Sequence, residues 1–134
     1  MNESRRQGGC MCGAVRYQID STSTWNTYCH CESCRRHSGA PAVMLVTCKP
    51  EQVHWTGERA LYESSQGRYR SFCRHCGTTL SWEAQFRGTW CAIHVGSLDY
   101  PEDFPPTDHV FHGEAVSWMS IDDGLPRYDG PKHI

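Results

Sequence analysis

The sequence predicts an all-β fold, several short strands around a metal-pinned centre, and three observations carry that prediction. Turn signals recur at short intervals, at Gly8-Gly9, Ser38-Gly39, Gly57, Gly67, Gly88, Pro105-Pro106, Gly113, Gly124-Leu125-Pro126 and Asp129-Gly130-Pro131. The runs between them alternate or are compactly apolar, as strands are. No segment sustains helical periodicity for three turns.

Taken in order, Val15, Tyr17 and Ile19 alternate with polar residues, the period of a half-buried strand. A short helix is expected over Glu32–Ser38, the one local exception. Val43-Met44-Leu45-Val46-Thr47 is a compact apolar run suited to an inner strand. Trp90–Val95 and Val116–Ile121 read the same way. In a β protein of this size Trp25, Trp55, Trp82, Trp90 and Trp118 are expected to be mostly core.

The bulk properties narrow the function. A length of 134 residues fits one domain, 1–134, against a prior of about 100–200 residues per domain. Mean hydropathy is −0.63, and no long uncharged apolar run offers a membrane span. The start of the chain has no apolar core of the signal-peptide kind, so a cytoplasmic location is expected. Net charge is −2 with 13 scattered Lys and Arg, and there is no basic stripe to follow a phosphate backbone. Nucleic acid is therefore not an expected partner, and oligomeric state is not legible.

Nine cysteines is an outlying and odd count. Without a secretory signal, close cysteine pairs point to metal or redox chemistry rather than disulfides. Seven fall in three clusters: Cys10-Met11-Cys12, Cys29-His30-Cys31-Glu32-Ser33-Cys34 and Cys73-Arg74-His75-Cys76-Gly77. On a strand, Cys10 and Cys12 would face the same side. Gly77 gives the turn after Cys76 the freedom of a metal knuckle. Two such pairs make a closed four-sulfur zinc site. The bland alternatives are a redox dithiol or unrelated pairs.

The middle cluster supplies three ligands within six residues, Cys29 and Cys31 on one strand face and Cys34 on the next turn. His30 should point the other way. A second zinc there lacks a fourth ligand, unless Cys48, Cys91 or a histidine closes it. Open positions are where zinc enzymes hold water or substrate. Three thiolates make zinc a weak Lewis acid, which favours capture of a soft ligand, a small-molecule thiol.

At this point the residues resemble a known family. Gly9–Tyr17, Cys29–Gly39, Phe72–Leu80 and His94–Leu98 occur in the order found in the glutathione-dependent formaldehyde-activating enzymes, a family that includes centromere protein V. Pro106–His109 and Asp123–Pro126 look similar too. The resemblance implies a tent-like β-sandwich of short antiparallel strands pinned by two zinc ions, with at most short helical turns. It implies Cys10, Cys12, Cys73 and Cys76 as structural ligands, and Cys29, Cys31 and Cys34 as ligands of a catalytic zinc that glutathione joins. The family reaction is carbon–sulfur lyase chemistry that interconverts glutathione and formaldehyde with S-hydroxymethylglutathione.

Arg35 and Arg36 are candidates to pair with the carboxylates of such a ligand, Glu32 to shuttle a proton, and His109 to line the pocket. Each also has a plain structural reading. Cys91 is expected in the core, and Cys48 as a reactive surface thiol or a residue without a role. Two other functions compete: a non-catalytic zinc module or glutathione carrier, and a methionine sulfoxide reductase-like enzyme with Cys91 as nucleophile. A base deaminase is excluded, because the His-x-Glu and Pro-Cys-x-x-Cys pattern is missing.

Overall fold

The computed structural model describes residues 3–85 and 89–132; the turn signal at Gly88 lies outside them. Ten strands occur among the described residues: β1 (Gln7–Gly9), β2 (Arg16–Ile19), β3 (Trp25–Cys29), β4 (Val43–Cys48), β5 (Val53–Thr56), β6 (Arg59–Ser65), β7 (Arg68–Cys73), β8 (Thr79–Ala84), β9 (Trp90–His94) and β10 (Asp108–Val110). The helix is α1 (Glu32–Ser38), as the sequence predicts. Its first turn is capped by the Cys31 side chain, which accepts from the Cys34 N–H, and Gly39 ends it. No helix among the described residues is long and apolar enough to cross a membrane.

The strands form two sheets. A three-stranded sheet runs β1-β2-β5, and a seven-stranded sheet runs β10-β3-β4-β9-β8-β7-β6. Pairing is antiparallel except at one edge, where β10 lies parallel to β3 and so departs from the expected all-antiparallel arrangement. The fold is all-β.

Alternation along the strands sorts side chains between the faces of the large sheet. From β4 and β9, Val46, Cys48, Cys91 and Ile93 meet Tyr17, Ile19 and Val53 of the small sheet, forming the main core. The opposite face carries Leu45, Val43 and Ala92, which join Cys29, Cys34 and Val110 in a second cluster. The small sheet thus covers one face and leaves the other for α1 and the end of the tail, Pro131 and Lys132.

Two expectations need correction. Val116–Ile121 is a turn, not a strand: Met119 N–H bonds to the Val116 carbonyl, and Trp118 is 76% exposed. The β10 edge that could have taken a further strand is occupied instead. His109 N–H bonds to the Pro126 carbonyl, and Tyr128 N–H bonds to the His109 carbonyl. Nor are the tryptophans fully buried, although Trp25, Trp55 and Trp82 pack against the two clusters. Trp25, Trp55, Trp82 and Trp90 are partly buried, and Trp55 lies against Tyr17 and beneath the Arg59 guanidinium.

Beneath α1, His94 is buried at 6% exposure, and its ring meets that of His37 edge-on at 5.6 Å. Burial lowers the His94 pKa to about 3, helped by His37 and Arg70. It is therefore neutral in the fold and charged in the unfolded chain below its ordinary value of about 6.5. A depressed value means that stability is full above pH ~6.5 and is lost as pH falls, by about 1.4 kcal/mol per unit for one proton. His94→Leu should lessen the slope of urea-derived stability between pH 6.5 and 4.5 by about 1.4 kcal/mol per unit, and an unchanged slope would remove His94 from the explanation. Separately, Leu80→Ala, in the dry core at 0% exposure, should cost about 2–5 kcal/mol. Trp118→Ala should change stability by less than about 0.5 kcal/mol in the same unfolding assay.

Candidate metal centres and an adjoining cavity

The first cysteine group brings together Cys10, Cys12, Cys73 and Cys76, whose sulfurs all lie within 4.8 Å of one another. Strand β1 stops at Gly9, so Cys10 and Cys12 do not share a strand face as expected. They sit on a tight turn in which Gly13, at φ 83°, reverses the chain and its N–H bonds to the Cys10 carbonyl. The second pair has the same design: Gly77, at φ 78°, donates its N–H to the Cys73 carbonyl. Left-handed backbone at these points is why glycine stands at both.

Backbone amides support the sulfurs. Val15 N–H donates to Cys10 Sγ at 3.2 Å, and His75 N–H to Cys73 Sγ at 3.4 Å. The Thr78 hydroxyl, 3.2 Å from Cys76 Sγ, leads the contacts that pull the Cys76 thiol down to about 5; the N–H groups of Thr78 and Cys12 add to it. Sulfurs of a tetrahedral site with metal–sulfur bonds near 2.3 Å stand about 3.8 Å apart. Cys10–Cys12 is 3.6 Å and Cys12–Cys73 is 3.8 Å. The residues present fit a four-sulfur metal site.

The second group is Cys29, Cys31 and Cys34, also within 4.8 Å of one another. Its local geometry differs from the expected strand-plus-turn. Only Cys29 lies on β3; Cys31 is the cap of α1 and Cys34 stands in its first turn. The helix start, not strand alternation, turns Cys31 and Cys34 toward one point. Thiols of Cys29 and Cys34 donating to Cys31 pull its pKa well below the usual thiol range, while the Cys29 thiol is pushed up by Cys31 and Cys34 in turn. Three sulfurs this close together could hold one metal ion. No fourth His, Cys, Asp or Glu joins them among the described residues. His30 turns away: its Nε2 lies 2.9 Å from His109 Nδ1.

The three-sulfur group lines a cavity of about 580 Å³. The cavity lies on the face of the large sheet that the small sheet leaves open. Arg68, Arg70 and Lys132 supply its positive charge; Trp25, Trp82, Trp90 and Phe111 supply its aromatic surface. Arg70 is 7% exposed and donates from Nη1 to Cys34 Sγ at 3.5 Å.

The candidate ligand contacts are placed as follows. Arg35 and Arg36 do not line this cavity; Arg36 pairs with Glu32 at 3.1 Å on the outer side of α1. Glu32 reaches the rim, where its N–H bonds to Glu114 Oε1. His109 is fully buried on the other face, with Nε2 2.8 Å from Asp123 Oδ2 and its ring stacked on Tyr28. Arg68 and Arg70 were legible as an i, i+2 pair near Cys73, but nothing in the sequence shows which face that pair meets. Cys48 is buried at 3% exposure rather than a surface thiol. Cys91, its cross-strand partner, is also buried, and burial pushes its thiol far up. A nucleophile needs thiolate and access, so the sulfoxide reductase-like reading has no support.

Comparison with known proteins agrees with this picture. A solved Rhodobacter sphaeroides protein, a structural-genomics target, superposes with a TM-score of 0.59 at 18% identity, over 90% of this chain and 98% of that one; this likeness concerns the fold alone. An uncharacterized lyase of Schizosaccharomyces pombe is 31% identical over 74 residues, which is 55% of this chain and 54% of the yeast protein. The match thus spans about half the length of that curated relative. Residues 5–114 match the family profile described as glutathione-dependent formaldehyde-activating enzyme. A match over most of the chain, with the cysteine groups inside it, means that this protein belongs to the glutathione-dependent formaldehyde-activating enzyme family.

Proposed function

We propose that this chain, acting as one domain over residues 1–134, is a zinc-dependent carbon–sulfur lyase that takes a small thiol, glutathione or a close relative. The observation that carries the reading is the contrast between the two sulfur groups. Four sulfurs gather in one, while three gather in the other and line a cavity. The first suits a structural zinc held by Cys10, Cys12, Cys73 and Cys76. The second suits a zinc held by Cys29, Cys31 and Cys34 with room for one more ligand. Zinc bound there supplies a site at which an added thiol is held as thiolate, a nucleophile at neutral pH.

The chain's own residues do the rest. Cys31 joins two tasks, capping α1 and offering sulfur to the metal. The Arg70 guanidinium beside Cys34 offsets the negative charge gathered on three thiolates and a fourth. Arg68 and Arg70 face the cavity where the carboxylates of a glutathione-like ligand can be received, in place of Arg35 and Arg36. In the reaction the thiol sulfur bonds to the carbonyl carbon of formaldehyde and the thiol proton passes to the carbonyl oxygen; lysis is the reverse. A reducing, cytoplasmic setting accompanies this reading, since both sulfur groups must stay unoxidised.

Zinc counted per chain tests the proposal, with Cys31→Ser as the informative variant. Serine preserves the helix cap, so the variant should fold and hold one zinc where the wild type holds two. Cobalt-substituted wild type should change its visible spectrum when glutathione is added, and the variant should not. One zinc in both proteins, or a spectrum indifferent to every small thiol, would end the reading. Cys76→Ser should instead unfold the protein. Metal binding in small domains supplies on the order of 10 kcal/mol of folding free energy, so an unchanged melting temperature would remove the structural role from that site.

A further inference from the structure

The register of the large sheet sets five cavity-facing residues in one row across adjacent strands: Trp25, Thr47, Ala92, Trp82 and Arg70. The next row carries Trp90, Ala84 and Arg68. Small side chains thus form the floor between tryptophan walls. Trp25 and Trp82 stand three strands apart, about 14 Å between backbones at ~4.8 Å per strand. Thr47 and Ala92, both short side chains, lie between them on the cavity floor. All three indoles are only partly buried and line the cavity, and Trp25 and Trp82 pack directly on the cluster containing Cys29 and Cys34.

Arg70 closes the row at the sulfur end. It is more than nine-tenths buried, and its Nε has no partner. A buried guanidinium N–H is costly to leave unpaired, and a substrate oxygen would satisfy it. A one-carbon aldehyde fills little of 580 Å³.

We infer that the three-sulfur centre is built for a thiol–carbonyl adduct carrying an aromatic ring. The ring lies against the indoles that line the cavity, and the adduct oxygen lies toward Arg70. This rests on the thiol-binding reading above and adds the substrate class. The step is a balanced addition without redox change. Sulfur bonds to the carbonyl carbon, the carbon–oxygen double bond becomes single, and the thiol proton ends on that oxygen. Arg70 is the donor to that oxygen, and Trp25 and Trp82 set specificity. The ring can enter on either partner, the thiol or the aldehyde.

The zinc-loaded full chain is assayed for adduct formation with three pairs: glutathione with formaldehyde, glutathione with phenylacetaldehyde, and benzyl mercaptan with formaldehyde. At least one ring-bearing pair should exceed the first by tenfold or more in kcat/KM and quench tryptophan fluorescence. Which of the two does so identifies the source of the ring. Trp82→Leu should bring the ratio toward one. The wild-type comparison needs no variant, so a misfolded Trp82→Leu leaves the question decidable. Equal rates for all pairs would overturn the inference while leaving the thiol reading intact. A cobalt spectrum that ignores every thiol, with no turnover, would overturn both.

Discussion

The large sheet has two faces and the strand period is two, so each residue is committed to one side by parity alone. That constraint underlies the rest of the structure. On β4 and β9, one set of residues seals the core against the small sheet, and the residues between them form the second cluster beneath the cavity. A slip of one residue in β4 would exchange Val46 for Leu45 and place Cys48 toward the open side. The dry core between the sheets, with Ile19, Leu80 and Ile93 fully buried, therefore holds in register the row that ends at Arg70.

The two sulfur groups use the same element in different backbone settings. Cys10, Cys12, Cys73 and Cys76 come from two glycine-closed turns distant in sequence, so a metal there would cross-link the chain's start to the β7–β8 connection. Cys29, Cys31 and Cys34 come from one strand end and one helix start. Local sequence supplies the second group almost entirely, whereas the first exists only once the chain has folded back on itself. This is the physical basis for expecting loss of one group to unfold the protein and loss of the other to leave a folded but altered chain.

The tail has a structural task that its composition conceals. Residues 126–130 cover the β10 edge and the backbone beyond it, and Lys132 bonds to Asp108, which also takes the Trp25 indole N–H. Asp108 therefore links the tail to one wall of the cavity. His109 beside it is held between His30 and Asp123 inside the fold. A family-like segment thus serves here to hold the wall of the cavity rather than to line it.

The cysteine grouping was legible from spacing, as were the short helix at Glu32–Ser38 and the inner strands at Val43 and Trp90, because these depend on neighbours within a few residues. Local patterning also suggested a strand at Val116–Ile121 that did not form; a strand-like pattern still needs an edge to pair with, and the tail had taken that of β10. The arginines show the same division. Arg35 and Arg36 stand next to the ligands in sequence yet do not line the cavity, while Arg70, thirty-six residues from Cys34, touches its sulfur. The sequence by itself determined which residues could hold metal, since ligand chemistry resides in side-chain type and short spacing. Only the tertiary structure decided which charges and rings face the cavity, since that follows from the register of strands that meet across the whole chain.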